Sequence, residues 1–203
     1  MPGAICPQNG DRSLPLLDRE HFSCQSRVSM TRNDLAAAIF KCTYLRGEFK
    51  LRSGQTSNEY FDKYRFESDP ELLREIARKM TPLVPDRTQV FAGLEMGGIP
   101  IATAIAMESG IDLCFVRKKA KEYGTMKLAE GADIAGKRVC VIEDVVTTGG
   151  QIIESVRELR KMGAEITDVL CVIDREQGAR DKLQDEKLWL HPLFFMSELK
   201  AAI

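Results

Sequence analysis

The chain has 203 residues, 44% of them hydrophobic and 29% charged, a composition that predicts one soluble globular domain with a substantial core. Its 29 Lys and Arg residues are balanced by 30 Asp and Glu residues, so no global field favours nucleic acid or an anionic membrane. No apolar run approaches the roughly 20 residues that span a bilayer, which argues against a transmembrane helix.

Residues 1–29 contain prolines and scattered polar residues without a sustained period, and they lack the long apolar stretch of a signal peptide. We expect a disordered extension; alternatively, the natural chain starts at Met30. Residues 30–203 are predicted to form the folded domain. Its first helix begins after Thr31, because Thr31 and Asp34 have the spacing of a capping box.

A hairpin and a second helix are predicted next. Residues 49–64 are polar and aromatic, with Gly54 as a turn, and this pattern indicates a hairpin or strand-loop. Asp69 can cap a helix whose first position is Pro70, and apolar residues then recur at helical spacing as far as residue 83.

From residue 90 onward, predicted strands alternate with predicted helices. The strands are 90–94, 111–116, 138–142, 166–173 and 188–194, and the helices are 97–109, 150–162 and 179–187, with a loop at 117–137. Residues 139–142 and 169–173 are continuously apolar, as expected of parallel strands covered on both faces. The alternation predicts an α/β fold with a doubly wound, mostly parallel sheet.

The cysteines and histidines offer little for metal or nucleophilic chemistry. None of the six cysteines forms a C-x-x-C pair, and Cys114, Cys140 and Cys171 fall in predicted strands. We interpret them as buried free thiols, which suits a reducing cytoplasm. The two histidines, His21 and His191, are far apart in sequence, so a zinc site or a Ser-His-Asp triad is poorly supported.

Residues 139–151 form the most informative segment. An apolar strand is followed by Glu143 and Asp144, then by a Thr/Gly-rich stretch that leads directly into a predicted helix. Such a stretch leaves free backbone N–H groups at a helix N-terminus, where they can bind a phosphate. The two carboxylates would repel a phosphate but can accept hydrogen bonds from ribose hydroxyls. Neither the Walker pattern nor the G-x-G-x-x-G dinucleotide pattern is present.

This segment resembles the phosphoribosyl-pyrophosphate motif of the type I phosphoribosyltransferases. The resemblance implies their doubly wound fold with a small N-terminal hood subdomain, and it makes residues 30–203 the phosphoribosyltransferase domain. It also implies that Glu143 and Asp144 hold the ribose and take part in catalysis. The other residues expected to bind phosphoribosyl pyrophosphate in this segment are Val145, Val146, Thr147, Thr148, Gly149, Gly150 and Gln151.

Residues 115–124 are similar to the catalytic loop of the orotate branch of this family, an R-K-x-A-K-x-H-G pattern. The resemblance implies that Arg117, Lys118, Lys121 and Tyr123 bind phosphoribosyl pyrophosphate, with Lys121 catalytic. It also implies a homodimer, because the loop of one subunit reaches the neighbouring subunit's site. The chain departs from the pattern at Tyr123, which stands where the family usually has His and carries no positive charge near neutral pH.

Residues 173–178 are similar to the D-R-x-x-G segment of the same branch. The resemblance implies that the planar guanidinium of Arg175 binds the orotate carboxylate. Because a purine has no carboxylate, Arg175 is the best indicator of substrate. The alternative is a structural salt bridge to Asp174, Glu176 or Asp181.

Residues 49–54 with Tyr60 and Phe61 resemble a further orotate-branch segment, F-x-L-x-S-G followed by paired aromatic residues. Arg52 is then expected to contact orotate or the diphosphate. Tyr60 and Phe61 are expected to stack on the pyrimidine, with simple core packing as the alternative. Asp62 and Lys63 are expected to be surface or hinge residues. Thr147 is a further expected orotate contact.

Residues 93–98 fall where the diphosphate-binding loop of the family is expected. Gly97 and Gly98 allow close backbone approach. Some members carry Lys at the Gly97 position, so here the backbone N–H groups are expected to serve alone. Glu95 is left open between meeting Mg²⁺ and pointing away.

The resemblance implies transfer of the phosphoribosyl group to orotate, giving orotidine monophosphate and pyrophosphate in UMP biosynthesis, with Mg²⁺ carried by the substrate. We expect no direct protein ligand to the metal to be identifiable, no nucleic-acid partner and a cytoplasmic location. Two alternatives stay open. One is a purine phosphoribosyltransferase on the same scaffold, suggested by Tyr123; the other is a non-catalytic regulator that senses phosphoribosyl pyrophosphate.

Overall fold

The structure is a computed structural model that describes residues 29–50, 54–118 and 128–203. The helices are α1 (Arg32–Thr43), α2 (Tyr64–Glu67), α3 (Pro70–Met80), α4 (Gly98–Ser109), α5 (Gly150–Lys161), α6 (Ala179–Asp185) and α7 (Met196–Ala201), with a 3₁₀ helix at Thr81–Leu83. The strands are β1 (Tyr44–Lys50), β2 (Thr56–Phe61), β3 (Val90–Leu94), β4 (Asp112–Val116), β5 (Ala129–Gly131), β6 (Arg138–Val146), β7 (Glu165–Asp174) and β8 (Trp189–Phe195). Residues 1–28 of the expected N-terminal extension lie outside the described residues.

Six strands form the central sheet, in the order β5-β4-β3-β6-β7-β8. Neighbouring strands are parallel except at one edge, where β5 runs antiparallel to β4. In the middle of the sheet, β3 pairs with β6 from Val90 opposite Val139 to Gly93 opposite Ile142. The predicted α/β class with a mostly parallel sheet is therefore confirmed.

Buried side chains form two clusters, one on each face of this sheet. One cluster packs α1, α3, α4 and α7 against the strands, and the other packs α5 and α6. Along β6, Cys140 and Ile142 belong to the first cluster, whereas Val139 and Val141 belong to the second. A strand buried on both faces needs a continuously apolar sequence, and helices on both faces make the sheet doubly wound.

Helix starts follow the local sequence. Thr31 Oγ1 accepts a hydrogen bond of 3.1 Å from the backbone N–H of Asp34, so the predicted cap of α1 is confirmed. Asp69 Oδ1 accepts from the N–H groups of Glu71 at 2.9 Å and Leu72 at 3.1 Å at the start of α3. Among the residues that the structure covers, no helix is both long enough and apolar enough to cross a membrane.

The N-terminal part forms a small subdomain beside the sheet. Strands β1 and β2 pair antiparallel as the expected hairpin, with Tyr44 opposite Phe61, although β1 begins five residues earlier than the aromatic pattern at Phe49 indicates. Helix α1 leads into this hairpin. The arrangement agrees with the predicted hood, and it brings Tyr60 and Phe61 to the end of β2.

The main departure from the predicted elements is the length of β6. The apolar pattern predicts a strand that ends at Ile142, but the strand continues to Val146 because Glu143 and Val145 stay in register with Cys171 and Ile173 of β7. The acid pair therefore lies inside the strand rather than in the loop after it. Helices α2 and α7 and strand β5 were not predicted, since each is shorter than two full periods of its structure.

Candidate active site

Five parallel strands end on the same side of the sheet. Strands β3, β4, β6, β7 and β8 end at Leu94, Val116, Val146, Asp174 and Phe195. The backbone N–H of Arg175 donates a hydrogen bond of 2.9 Å to the carbonyl oxygen of Val146, which ties the segment after β7 to the end of β6. Ligands of open α/β sheets bind outside the carboxyl ends of the strands, so this edge is the candidate site.

Between β6 and α5 the chain makes the tight turn that was predicted to hold a phosphate. Gly149 has a φ of 75°, a left-handed conformation that glycine adopts without strain, and it directly precedes the helix. Thr148, Gly150 and Gln151 are exposed and Thr147 is half-buried. The first N–H groups of α5 and the positive end of its dipole therefore meet an accessible surface, as phosphate binding requires.

The two valines before this turn contribute differently. Val145 is half-buried and Val146 is buried, and their side chains pack in the two core clusters. Only their backbone groups could therefore contact a ligand. The carbonyl oxygen of Val146 already accepts a hydrogen bond from the backbone N–H of Arg175.

The acid pair belongs to a cluster of four ionisable side chains. Asp144 is fully buried, and its Oδ2 forms an ion pair with Nζ of Lys63, whose side chain is 32% exposed. Glu67 is buried and Glu143 is half-buried, and Oε1 of Glu67 and Oε2 of Glu143 have no hydrogen-bond partner among the described residues. Three carboxyl groups thus share one ammonium, and ionising all three would be costly.

Proton sharing follows from this geometry. Burial, followed by the contact with Asp144, raises the pKa of Glu67 to about 8. Burial and the charge of Asp144 raise the pKa of Glu143 well above its ordinary value. Burial also acts to raise the pKa of Asp144, but its close contacts with Glu67 and Glu143 and its ion pair with Lys63 outweigh burial and lower that pKa. The cluster therefore favours one ion pair, Lys63 with Asp144, and disfavours ionisation of the other two carboxyl groups.

Two expectations from the sequence need correction here. The prediction that Lys63 is a surface or hinge residue is wrong, because its side chain pairs with the buried Asp144. The assignment of Asp144 to a ribose hydroxyl does not fit this arrangement, since the carboxyl group has no accessible surface. For Glu143 that role stays a prediction. Sequence reasoning missed Lys63 and Glu67, although their spacing of four residues is the signal that places two side chains on one helical face.

Replacing Glu67 by Gln should make stability less sensitive to alkaline pH. The folded-state pKa of Glu67, about 8, lies above the ordinary value of 4.5, so its contribution is fully present below pH 4.5 and is lost as pH rises through about 8. Gln cannot ionise, so it does not contribute to this loss. From about pH 5 to about pH 9, the free energy of unfolding of the parent chain should fall by on the order of a few kcal/mol more than that of the variant. Urea unfolding of both proteins at the two pH values measures the difference. If the difference in stability between the two proteins is the same at both pH values, Glu67 keeps its ordinary pKa.

Gly97 and Gly98 are required by their neighbours. A Cβ on Gly97 would overlap Oδ2 of Asp144, and a Cβ on Gly98 would overlap the carbonyl oxygen of Ile142. Gly98 begins α4, which has no side-chain cap at its N-terminus. The N–H groups of this first turn thus remain available to an anion, and the two glycines also make room for β6 and its carboxylate.

Glu95 connects two of the converging segments. Its Oε2 accepts a hydrogen bond of 3.1 Å from the backbone N–H of Lys118, and its own N–H donates to the carbonyl oxygen of Val116 at 2.8 Å. The open question about Glu95 is answered in part, because its carboxylate binds the backbone just after β4.

A groove of about 1040 Å³ brings several predicted anion ligands together. Arg117 and Lys118, both exposed, line it with Gly150 and Gln151 at the start of α5. Three further cations of α5, Arg157, Arg160 and Lys161, line the groove together with Glu154 and Glu158. An excess of cations and a helix N-terminus on one groove suit a ligand with several phosphates. Lys121 and Tyr123, predicted in the same loop, lie outside the described residues.

Arg175, Tyr60 and Phe61 line a second cavity, of about 240 Å³. The guanidinium carbon of Arg175 lies 6.0 Å from the centre of the Phe61 ring, and its Nε is buried without a hydrogen-bond partner among the described residues. Tyr60 is 42% exposed, so core packing does not account for it. Arg52, expected in the same region, lies outside the described residues.

The alternative role for Arg175 is a structural salt bridge, and among the described residues it forms none with Asp174, Glu176 or Asp181. Asp174 instead pairs with Arg180 at 3.2 Å, and Glu176 accepts hydrogen bonds from the backbone N–H and the hydroxyl of Ser197. A half-buried guanidinium with an unpaired N–H needs a hydrogen-bond acceptor, which a bound ligand can provide.

Comparison with known proteins identifies one family. Residues 65–193 match the family model described as the phosphoribosyl transferase domain. An orotate phosphoribosyltransferase of Nocardioides sp. is 52% identical over 168 residues, which cover 83% of this chain and 94% of the relative. Two crystal structures of the orotate phosphoribosyltransferase of Mycobacterium tuberculosis H37Rv superpose with TM-scores of 0.76 and 0.72, at 33% and 31% identity. Each covers 83% of this chain and 98% of the other, and the second contains 5-phospho-alpha-D-ribosyl 1-diphosphate.

The family model and the relative, which is matched over nearly its whole length, lead to one conclusion. The chain belongs to the orotate phosphoribosyltransferase family.

Proposed function

We propose that the chain transfers the 5-phosphoribosyl group of phosphoribosyl pyrophosphate to orotate, giving orotidine 5′-monophosphate and pyrophosphate, a step of pyrimidine biosynthesis towards UMP. The observation that carries the proposal is a pair of neighbouring features at one sheet edge. The N-terminus of α5 suits a phosphate, and Arg175, one backbone hydrogen bond from β6, has a buried N–H without a partner. A phosphorylated sugar and an anionic base need these two features.

In this reaction the bond between the anomeric carbon and the diphosphate oxygen breaks, and a ring nitrogen of orotate bonds to that carbon. Residues 147–151 hold the 5′-phosphate, and Glu143 accepts hydrogen bonds from the ribose hydroxyls. Positive charge builds on the ribose while negative charge builds on the departing diphosphate. Arg117, Lys118 and Lys121 meet that negative charge, the kind of stabilisation that lowers a barrier most.

Orotate lies in the cavity beneath the hood. Arg175 presents two N–H groups to its carboxylate, a geometry that Lys cannot reproduce. Tyr60 and Phe61 pack on the flat ring, and Arg52 and Thr147 complete its polar contacts. The exposed ring of Tyr60 supports this role, because it has surface left for a ligand.

Mg²⁺ is proposed to enter with the diphosphate. The described residues contain no group of three His, Cys, Asp or Glu side chains arranged to hold a metal ion. Mg²⁺ binds substrate phosphate oxygens readily and keeps several of its waters, so it does not need such a group. When bound, it neutralises charge on the diphosphate.

A homodimer is proposed, with the catalytic loop shared between subunits. Met96, Met107 on α4 and Phe115 on β4 are large apolar side chains with 57%, 84% and 39% of their surface exposed. Within α4 only Glu108 is charged. An apolar surface of this kind suits burial against a second copy. Sedimentation equilibrium should give twice the mass of the chain, and a purely monomeric protein would contradict the proposal.

The protein is proposed to act in the cytoplasm, with residues 30–203 as its phosphoribosyltransferase domain. Cys114, Cys140 and Cys171 are free and buried, and Cys42 is free and half-buried. Free thiols persist in a reducing compartment, which supports that location.

A parallel assay tests the activity. The protein is mixed with Mg²⁺ and phosphoribosyl pyrophosphate, and orotate, adenine or hypoxanthine is added to separate samples. We expect the ultraviolet absorbance of orotate alone to change. Consumption of a purine would favour the purine alternative, and consumption of none of the bases would favour a non-catalytic sensor.

A further inference from the structure

Residues 95–98 are the part of the expected diphosphate-binding segment 93–98 that follows β3, and they are called the diphosphate loop below. None of their side chains is cationic. Their sequence is Glu-Met-Gly-Gly, and the carboxylate of Glu95 is engaged with the backbone of Lys118. The first turn of α4 offers N–H groups there, but they provide only the partial charge of a helix end. A diphosphate carries several full negative charges, so a side-chain cation close to Gly97 would add to the charge that Mg²⁺ and the catalytic loop supply.

Lys63 lies next to this loop although it is distant in sequence. It precedes helix α2, and its Nζ contacts Oδ2 of Asp144. The same Oδ2 occupies the position that a Cβ on Gly97 would take, and Oε1 of Glu67 is also close to that position. The ammonium of Lys63 is therefore separated from the backbone of Gly97 by a single carboxylate oxygen.

The environment of Lys63 keeps it charged and within reach of a ligand. Burial acts to lower its pKa, but Asp144 outweighs burial and raises that pKa, so the ammonium stays protonated. An ammonium has three N–H donors, and the ion pair with Asp144 engages one side of it. With 32% of its surface exposed, the side chain is neither sealed in the core nor free in solvent.

We infer that Lys63 binds the diphosphate of phosphoribosyl pyrophosphate at the Gly97 loop, and that Asp144 acts by holding Lys63 in place. The inference rests on the proposed function, because it assigns a contact to that substrate. It revises the expectation that the backbone of this loop serves alone. It also explains how a buried carboxylate can border a diphosphate site, because Lys63 neutralises Asp144.

Binding measurements with the two products separate this role from a structural one. Pyrophosphate reports on the diphosphate site, whereas orotidine monophosphate occupies the ribose phosphate and base sites without it. Calorimetric titrations in the presence of Mg²⁺ should show that Lys63→Met weakens pyrophosphate binding about 10- to 100-fold, the value of a charge-assisted hydrogen bond. Binding of orotidine monophosphate should change little, and Lys63→Arg should restore most of the pyrophosphate affinity.

Removing Lys63 alone leaves Asp144 buried and unpaired, which can prevent folding. The double variant Lys63→Met with Asp144→Asn, which leaves no unpaired charge, is therefore compared with the parent protein and should lose the same pyrophosphate affinity. Asp144→Asn alone should lose part of it, because Lys63 is then no longer held in place. Lys137→Met is the matched control, because Lys137 is exposed just before β6, at the opposite edge of the sheet.

The outcomes keep the two proposals distinct. Parent protein that binds neither product would contradict the proposed function itself. Parent protein that binds both, with folded Lys63 variants that keep full pyrophosphate affinity, would overturn the role of Lys63. Equal loss of affinity for both products would overturn it as well, because that result indicates a purely structural residue.

Discussion

Replacing Lys121 by Ala is expected to lower kcat about 100- to 1000-fold, the usual cost of removing one preorganised group that stabilises a transition state. The effect should fall on kcat because the diphosphate gains additional negative charge as its bond to the ribose breaks. Binding of the intact substrate already has Arg117, Lys118 and the helix N-termini to rely on, so KM for phosphoribosyl pyrophosphate should change little.

Steady-state kinetics with varied phosphoribosyl pyrophosphate at saturating orotate measures both constants. Lys137→Ala serves as control, since it removes an exposed lysine at the far edge of the sheet. A variant whose KM rises while kcat is maintained would make Lys121 a ground-state ligand instead. A variant with the parent kcat and KM would remove it from the reaction altogether.

The fold was largely predictable because its signals are local. Thr31 and Asp69 cap helices with hydrogen bonds that depend on residues two or three positions away. The apolar run at 139–142 indicates a doubly covered strand for a similarly local reason. Where β6 ends was not predictable, since Glu143 and Asp144 look like loop residues until the ladder with β7 extends the strand.

Part of the candidate site was likewise predictable from the sequence, and part was not. The phosphate turn at 147–151 follows from chain order alone, because a glycine-rich stretch between a strand and a helix has one common outcome. The pairing of Lys63 with Asp144 does not, because it joins residues that only the tertiary fold brings together. Gly97 shows the same limit: its sequence indicates freedom for the backbone, but the neighbour that requires that freedom is the carboxylate of a distant strand.

Replacing Arg175 by Leu should lower kcat/KM for orotate about 100- to 1000-fold, because losing one partner of a desolvated, hydrogen-bonded charge pair costs about 2–5 kcal/mol. The guanidinium is half-buried, and its Nε lacks a hydrogen-bond partner among the described residues, so a ligand carboxylate is its natural acceptor. Arg175→Lys keeps the charge but loses the planar fork, and we expect only partial recovery.

Comparing orotate with uracil as substrates tests this prediction most directly. Uracil has the same ring as orotate without the carboxylate, so the parent protein should strongly prefer orotate, and Arg175→Leu should lose most of that preference. Pyrophosphate affinity should stay at the parent value, since Arg175 follows β7 beside the hood rather than the diphosphate loop. Arg87→Leu is the matched control, because Arg87 is exposed ahead of β3 at the opposite edge. If Arg175→Leu still prefers orotate over uracil as strongly as the parent protein does, another residue recognises the carboxylate. Arg52 would then be the next residue to replace, because it is the other cation predicted to contact orotate. The unpaired Nε of Arg175 would need a different explanation.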